Sequence, residues 1–290
     1  MAVSPLFVLF SVVAALVLIQ AGFSDVVAAR RSHMPASARN ARRRSVLLLL
    51  AGVILAFPVG FALLRWSDFG RGLVTLVPGV ITCLAIGLAL GAMSIDRVNR
   101  DSSVREASLV SRSLRTVVPP RFAVAVMAGL LLAVGGLIMT TLTASVDPSS
   151  DQMRAFSISH GDTGRTFSPY PGSFYSVPLM FAIALVLILA LACVKGAQRW
   201  GAVDTGVYDM ALRRRIATRG VACAAAISAF GAFVAGMSLH KAANAVSSVG
   251  DSNWGWKMAG ILAMGMAIYG GVLGLWAIVR FVVPQPIVSR

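Results

Sequence analysis

The residues best suited to chemistry in this sequence gather in one stretch, 144–173. It holds Asp147, Asp151, Arg154, His160, Asp162 and Arg165 ahead of Pro169-Tyr170-Pro171-Gly172-Ser173-Phe174-Tyr175. A metal site there would use His160 with Asp151 or Asp162, but one imidazole among scattered carboxylates lacks the usual ligand spacing. A lipid-processing enzyme would need polar groups converging at one membrane face, for which Asp147, His160, Asp251 and Lys241 are the candidates. Beyond these the chemistry is sparse. The sequence has no GxxxxGK[ST] phosphate loop, no HExxH helix and no GxSxG elbow, and no serine is singled out with a histidine base. ATP hydrolysis would therefore require a separate subunit, and the chain reads as a non-enzyme with no cofactor and no catalytic or metal residue to name.

The elements that must position these residues are membrane spans. Hydrophobic residues make up 57% of the chain and charged residues 13%, about half the charged share of an ordinary soluble domain. A helix crossing some 30 Å of hydrocarbon needs about 20 mostly apolar residues, and seven runs qualify: 3–27, 45–64, 72–93, 122–143, 174–194, 220–239 and 258–283. The expected fold is all-α, a polytopic membrane helix bundle forming a single domain over 1–290. The first run has no basic residue ahead of its apolar core and Arg30 and Arg31 follow it, so it reads as an uncleaved span; cleavage after Ala28 or Ala29 is the rival.

Net charge is +15, which in a soluble protein would suggest a nucleic-acid partner. Its distribution points elsewhere. Segments 28–44, 94–121 and 195–219 hold six Lys or Arg each, and with Arg280 and Arg290 they account for 20 of the 26. A bias confined to Lys and Arg in alternate loops is a topology signal, so we expect no nucleic-acid partner, the N-terminus outside and the C-terminus in the cytoplasm. Trp66, Trp254 and Trp256 fall at expected outer ends, Trp200 just past an inner one and Trp276 within two turns of one, as interfacial aromatics should. Cys83, Cys193 and Cys223 sit singly in apolar runs and read as small packing residues.

Inside the spans ionisable groups are nearly absent, which argues against a buried proton or ion relay. Pro58 and Pro78 fall at similar depths from the outer side and would bend their helices there. With Tyr170, Phe174 and Tyr175, seated by the proline-rich turn at the interface, they form a candidate outer vestibule or hinge. Gly87 with Gly91, and Gly270 with Gly274, allow close helix approach, either within one bundle or in a homodimer. On the inner side, 103–118 repeats apolar residues at helical spacing beside Arg105, Arg112 and Arg115, and a second loop carries Asp209, Arg213, Arg214 and Arg215. These seven are candidate docking residues for a cytosolic partner, or contacts with the lipid bilayer.

At Tyr170-Pro171-Gly172-Ser173-Phe174-Tyr175-Ser176-Val177-Pro178, followed by Asp209 and Leu212-Arg213-Arg214-Arg215, the chain resembles a group of poorly characterised multi-pass membrane proteins of high-GC Gram-positive bacteria, the actinobacteria. Genes for that group often sit beside a GntR-type regulator and an ABC-transporter ATPase. The resemblance implies a multi-pass protein of the bacterial inner membrane working with a separately encoded ABC ATPase. Three functions are thus expected in order: a non-ATPase membrane subunit of an ABC-type transport system, a stand-alone sensor or scaffold binding a ligand or lipid through 144–173, and a lipid-processing enzyme.

Overall fold

Backbone that crosses lipid must satisfy every N–H and C=O within its own segment, and long helices do so. The computed structural model describes residues 36–65, 71–100, 117–160, 163–199, 207–248 and 254–283. Six helices run through them: α1 Ala36–Arg65, α2 Arg71–Arg100, α3 Pro120–Thr143, α4 Ser173–Arg199, α5 Val207–Ser248 and α6 Trp254–Val282. Each contains a stretch long and apolar enough to cross a membrane, so the protein is a multi-pass membrane bundle of helices. The expected first span, 3–27, and the segment carrying Arg105, Arg112 and Arg115 lie outside the described residues.

The bundle is built around α5. Two thirds of its apolar stretch is buried, against 22% for α1 and 28% for α6, and it packs on each of the other five helices. Its residues explain this position. Gly220, Gly231 and Gly236 are interleaved with Ala222, Ala224, Ala225, Ala229, Ala232 and Ala235, a surface of small side chains against which neighbouring backbones can close. A Cβ on Gly236 would lie 2.6 Å from the Ala263 carbonyl and 2.7 Å from the Ala267 amide of α6, so only glycine fits there. Consecutive helices α1 and α2, and α5 and α6, run antiparallel: Gly52 of α1 meets Gly87 of α2, and Gly91 meets Ser45, while Gly260 meets Ala243 and Gly270 meets Ala229 and Phe233. The glycine pairs read from the sequence thus serve contacts within the chain. Gly265 has nothing within 4 Å.

Two segments differ from expectation. The run 195–219, expected as an inner loop long enough for a short helix, instead mostly extends the spans on either side, because Met210, Ala211, Leu212 and the three arginines are good helix formers and no proline interrupts 207–248. That makes α5 a rod of 42 residues, about 63 Å at 1.5 Å per residue. The segment 144–173, expected as a loop ending in a rigid turn, contains a three-stranded antiparallel sheet: β1 Ser145–Asp147, β2 Gln152–His160 and β3 Thr163–Phe167, in that order. The alternation Phe156, Ser157, Ile158, Ser159 supplies a period of two, and the pairing of His160 with Thr163 leaves the two residues Gly161-Asp162 between the strands. Phe156 and Tyr170 are buried against Ala242 and Val246 at the far end of α5, with Trp256 of α6 beside them. The bundle therefore has a sheet end and, opposite it, an arginine end.

Candidate functional site

The sheet end is joined to the bundle by Tyr170 and held together within itself by an ion pair. The Tyr170 amide donates to the Arg154 carbonyl (2.8 Å), its hydroxyl shares a hydrogen bond with Thr143 (2.7 Å), and its ring lies 5.3 Å from that of Phe156. Burial pushes this hydroxyl's pKa up, and the Thr143 bond offsets part of the rise. Arg154 and Asp147 are both buried and meet at 2.7 Å. Asp147 also accepts from the Ser149 amide and hydroxyl (2.9 and 2.8 Å) and from Ser168 (3.0 Å). Those bonds, the Ser149 amide first, hold its carboxyl below the ordinary carboxylate range, with the Arg154 charge adding to them. The guanidinium is filled in turn by Ser150 and Ser149. This pair is a structural clamp.

Of the remaining polar candidates, only two have described side chains. Lys241 and Asp151 are exposed, while the side chains of His160 and Arg165 and all of Asp162 and Asp251 lie outside the described residues. A histidine that the charge pattern placed merely at a span end does have a defined setting. His240 of α5 bonds the Gly260 carbonyl of α6 through Nδ1 (2.8 Å), and Asn244 bonds its Nε2 (2.9 Å).

The vestibule residues divide into three groups. Pro58 is exposed on the outer face of α1, and Tyr170 and Tyr175 are buried in the joint between sheet and bundle, with Phe174 stacked edge-on to Tyr175 at 4.8 Å. Pro78 alone lines an opening. It lies on the floor of a trough whose base is α2 and whose walls are Val59 and Leu63 of α1 and Leu179, Phe181 and Leu185 of α4. The cavity measures about 630 Å3 and runs from Thr75 and Pro178, near the sheet end, to Cys83 and Ile188 in mid-bundle. Gly79 deepens its floor. Its few polar groups are occupied: the Thr82 hydroxyl donates to the Pro78 carbonyl at 2.8 Å. Pro178 faces Pro78 across the trough, a pairing with no sequence signal because the two prolines are a hundred residues apart.

At the opposite end the docking candidates are arranged differently from a surface loop. Arg213 is 1% exposed, and its Nη1 donates to the Ala197 carbonyl (2.6 Å) in the last turn of α4. Arg219 is 5% exposed, and its Nε donates to the Phe281 carbonyl (3.0 Å) in the last turn of α6. The last carbonyls of a helix lack internal donors and carry its negative dipole end, so each arginine caps an antiparallel neighbour. A docking role for Arg213 does not fit this burial. Arg214 and Arg215 are half-buried, and the side chain of Asp209 lies outside the described residues. Arg280 of α6 sits over the rings of Phe122 and Trp276, each 5.9 Å away.

No protein-family model, no curated protein and no solved structure matches this chain.

Proposed function

We propose that this protein is a membrane-embedded scaffold that holds the apolar tail of a lipid in the trough beneath its sheet cap. The observation that carries this reading is the trough itself, whose volume falls in the range of about 300–1,000 Å3 typical of ligand sites and whose walls are almost wholly apolar. It offers nothing to a polar solute. It opens sideways past Phe181 and Ile188, which are 74% and 63% exposed, so a tail enters from the surrounding layer rather than from water. The test is photolabelling in bilayer nanodiscs with a lipid carrying a diazirine in its acyl chain. Residues 75–83 and 178–188 should be labelled well above the equally apolar outer face of α6 at Ile261, Leu262 and Ile268, and Gly79→Leu, which fills the floor, should remove the excess. Equal labelling of both faces would sink the reading.

A second proposal is that the chain is the non-ATPase membrane subunit of an ABC-type transport system in the bacterial cell membrane, with seven spans and the arginine end cytoplasmic. It is supported by the Lys and Arg distribution and by the resemblance to the actinobacterial group. Its remaining docking residues with described side chains are Arg214 and Arg215, both half-buried. Recovery of an ATPase with the wild-type chain in mild detergent, and its loss with Arg214→Glu, is the expected result; recovery unchanged by that variant and by replacement of 101–116 would count against it.

A further inference from the structure

The dimensions of the trough bear on how many hydrocarbon chains it holds. Its lining runs along α2 from Thr75 to Cys83 and along α4 from Pro178 to Ile188, which at 1.5 Å per residue is about 12 and about 15 Å. The end at Pro178 is the one nearer the cap, because α4 begins at Ser173, close behind the last strand. That length is about half of a hydrocarbon layer of about 30 Å, the depth of one leaflet. Width follows from the helix arrangement. Both α1 and α4 pack on α2 and hardly touch each other, which leaves a strip of α2 between them as the floor. Packed helices stand about 8–10 Å apart, whereas carbon atoms in contact need only about 4 Å, so two chains can lie abreast. Volume agrees. A straight chain advances about 1.3 Å per carbon, the projection of a bond of about 1.5 Å, so about a dozen methylenes cover the length. Taking for each the share of a water in the liquid, about 30 Å3, one such chain occupies about 360 Å3. The trough measures about 630 Å3, so one chain leaves room for most of a second.

We propose that the trough seats both acyl chains of one diacyl lipid, with the head group toward the sheet cap and the chain ends toward Cys83. This rests on the lipid-tail reading given above and adds the number of chains and their direction. Paired chains meet both walls at once, Val59 and Leu63 on one side and Leu179 and Ala182 on the other, where a lone straight chain reaches one. Burying those walls against hydrocarbon on both sides recovers the dispersion contacts that a half-filled trough forgoes.

The full-length protein in neutral detergent is mixed with phosphatidylcholine or with lysophosphatidylcholine, its one-chain counterpart. Native mass spectrometry then counts the lipid that wild type retains beyond Gly79→Leu. The expected difference is one phosphatidylcholine or two lysophosphatidylcholines. Ala182→Phe narrows the trough from the α4 wall; it should keep one lysophosphatidylcholine and release phosphatidylcholine, and it supplies the same comparison if Gly79→Leu does not fold. In nanodiscs, a diazirine near the carboxyl end of the chain should label around Thr75 and Pro178, and one near the methyl end around Cys83 and Ile188. A single lysophosphatidylcholine in wild type, replacement of phosphatidylcholine by one sterol or polyprenol at equal concentration, or the reverse order of labelling overturns the proposal. If the trough is not labelled above the outer face of α6 at all, the lipid-tail reading itself fails; if it is labelled while only one chain is counted, the pairing alone fails.

Discussion

The two ends of this bundle bury the same side chain by opposite means. At the sheet end Arg154 meets a carboxylate, Asp147, inside a ring of serine hydroxyls. At the arginine end Arg213 and Arg219 meet main-chain carbonyls, Ala197 and Phe281, at the C-termini of α4 and α6. The antiparallel order makes the second solution available: α4 and α6 both end beside the start of α5, and their dipoles converge on it. A carboxylate titrates and a carbonyl does not. The sheet end is therefore the end where pH acts, and the arginine end is the end where removing a cation strands a helix terminus.

The largest effect is expected from Arg213→Met. The thioether fills much of the space but leaves the Ala197 carbonyl buried without its charged donor, at a cost of about 3 kcal/mol. Thermal unfolding in detergent should show it as a lower Tm, and hydrogen exchange should locate the opening at the α4–α5 junction. A loss confined to the sheet end would break the comparison, since it would mean the arginine end is not held by this cap.

Next come the glycines of α5, which sample the two halves of the same rod. In the sheet half, Gly236→Ala drives a methyl against backbone atoms of α6 at 2.6 and 2.7 Å, and backbone cannot give; the expected cost is about 2 kcal/mol. In the arginine half, Gly220→Ala meets the Cys193 side chain, with Cβ at 2.7 Å and Sγ at 3.2 Å, and should cost about 1 kcal/mol. Gly265→Ala, with open space around it, serves as the neutral control. If Gly220→Ala proves the worse of the two, α4 and not α6 is the tighter partner of the rod.

The sequence disclosed the six described spans because hydropathy acts over twenty residues and tolerates boundary error; the seventh it expects, at 3–27, lies outside the described residues. It disclosed less at both ends. The continuation of α5 through Arg213 to Arg219 was hidden because a run of arginines ends an apolar window even where propensity carries the helix on, and only the antiparallel neighbours reveal that the side chains find carbonyls inside. The sheet was written in Phe156, Ile158 and the Gly161-Asp162 pair, a short alternation overshadowed by the proline-rich turn that follows. Pro58 and Pro78 match in depth but not in facing, since depth is read by counting and facing depends on which neighbours a helix acquires. The trough was the least legible feature. Its walls come from residues 59–63, 75–83 and 178–188, three spans whose adjacency no local pattern encodes.

Acid should loosen one end before the other. The folded pKa of Asp147 lies below its unfolded value of about 3.9. The stabilisation it contributes is therefore complete above that unfolded value and is lost as pH falls through the lower folded one. Hydrogen exchange between pH 7 and pH 3 should show protection of 145–167 falling while that of 210–219 holds. Asp147→Asn removes the titrating group: its cap should be weaker at neutral pH and no weaker in acid. A wild-type cap that is equally protected across the range would erase the distinction between the two ends.

The smallest loss belongs to Pro58→Ala, which touches neither end. Pro58 faces outward inside α1, so the exchange removes no packing, and relieving a helix-interior proline should raise stability and not lower it. It restores an amide donor to α1 without altering any side chain in the trough. Lipid labelling of 75–83 and 178–188 should therefore match wild type, in contrast to Gly79→Leu. Should Pro58→Ala reduce that labelling as strongly, the course of α1 at Pro58 would set how far Val59 and Leu63 stand from α4, and the outward-facing proline would belong to the trough through the wall it shapes.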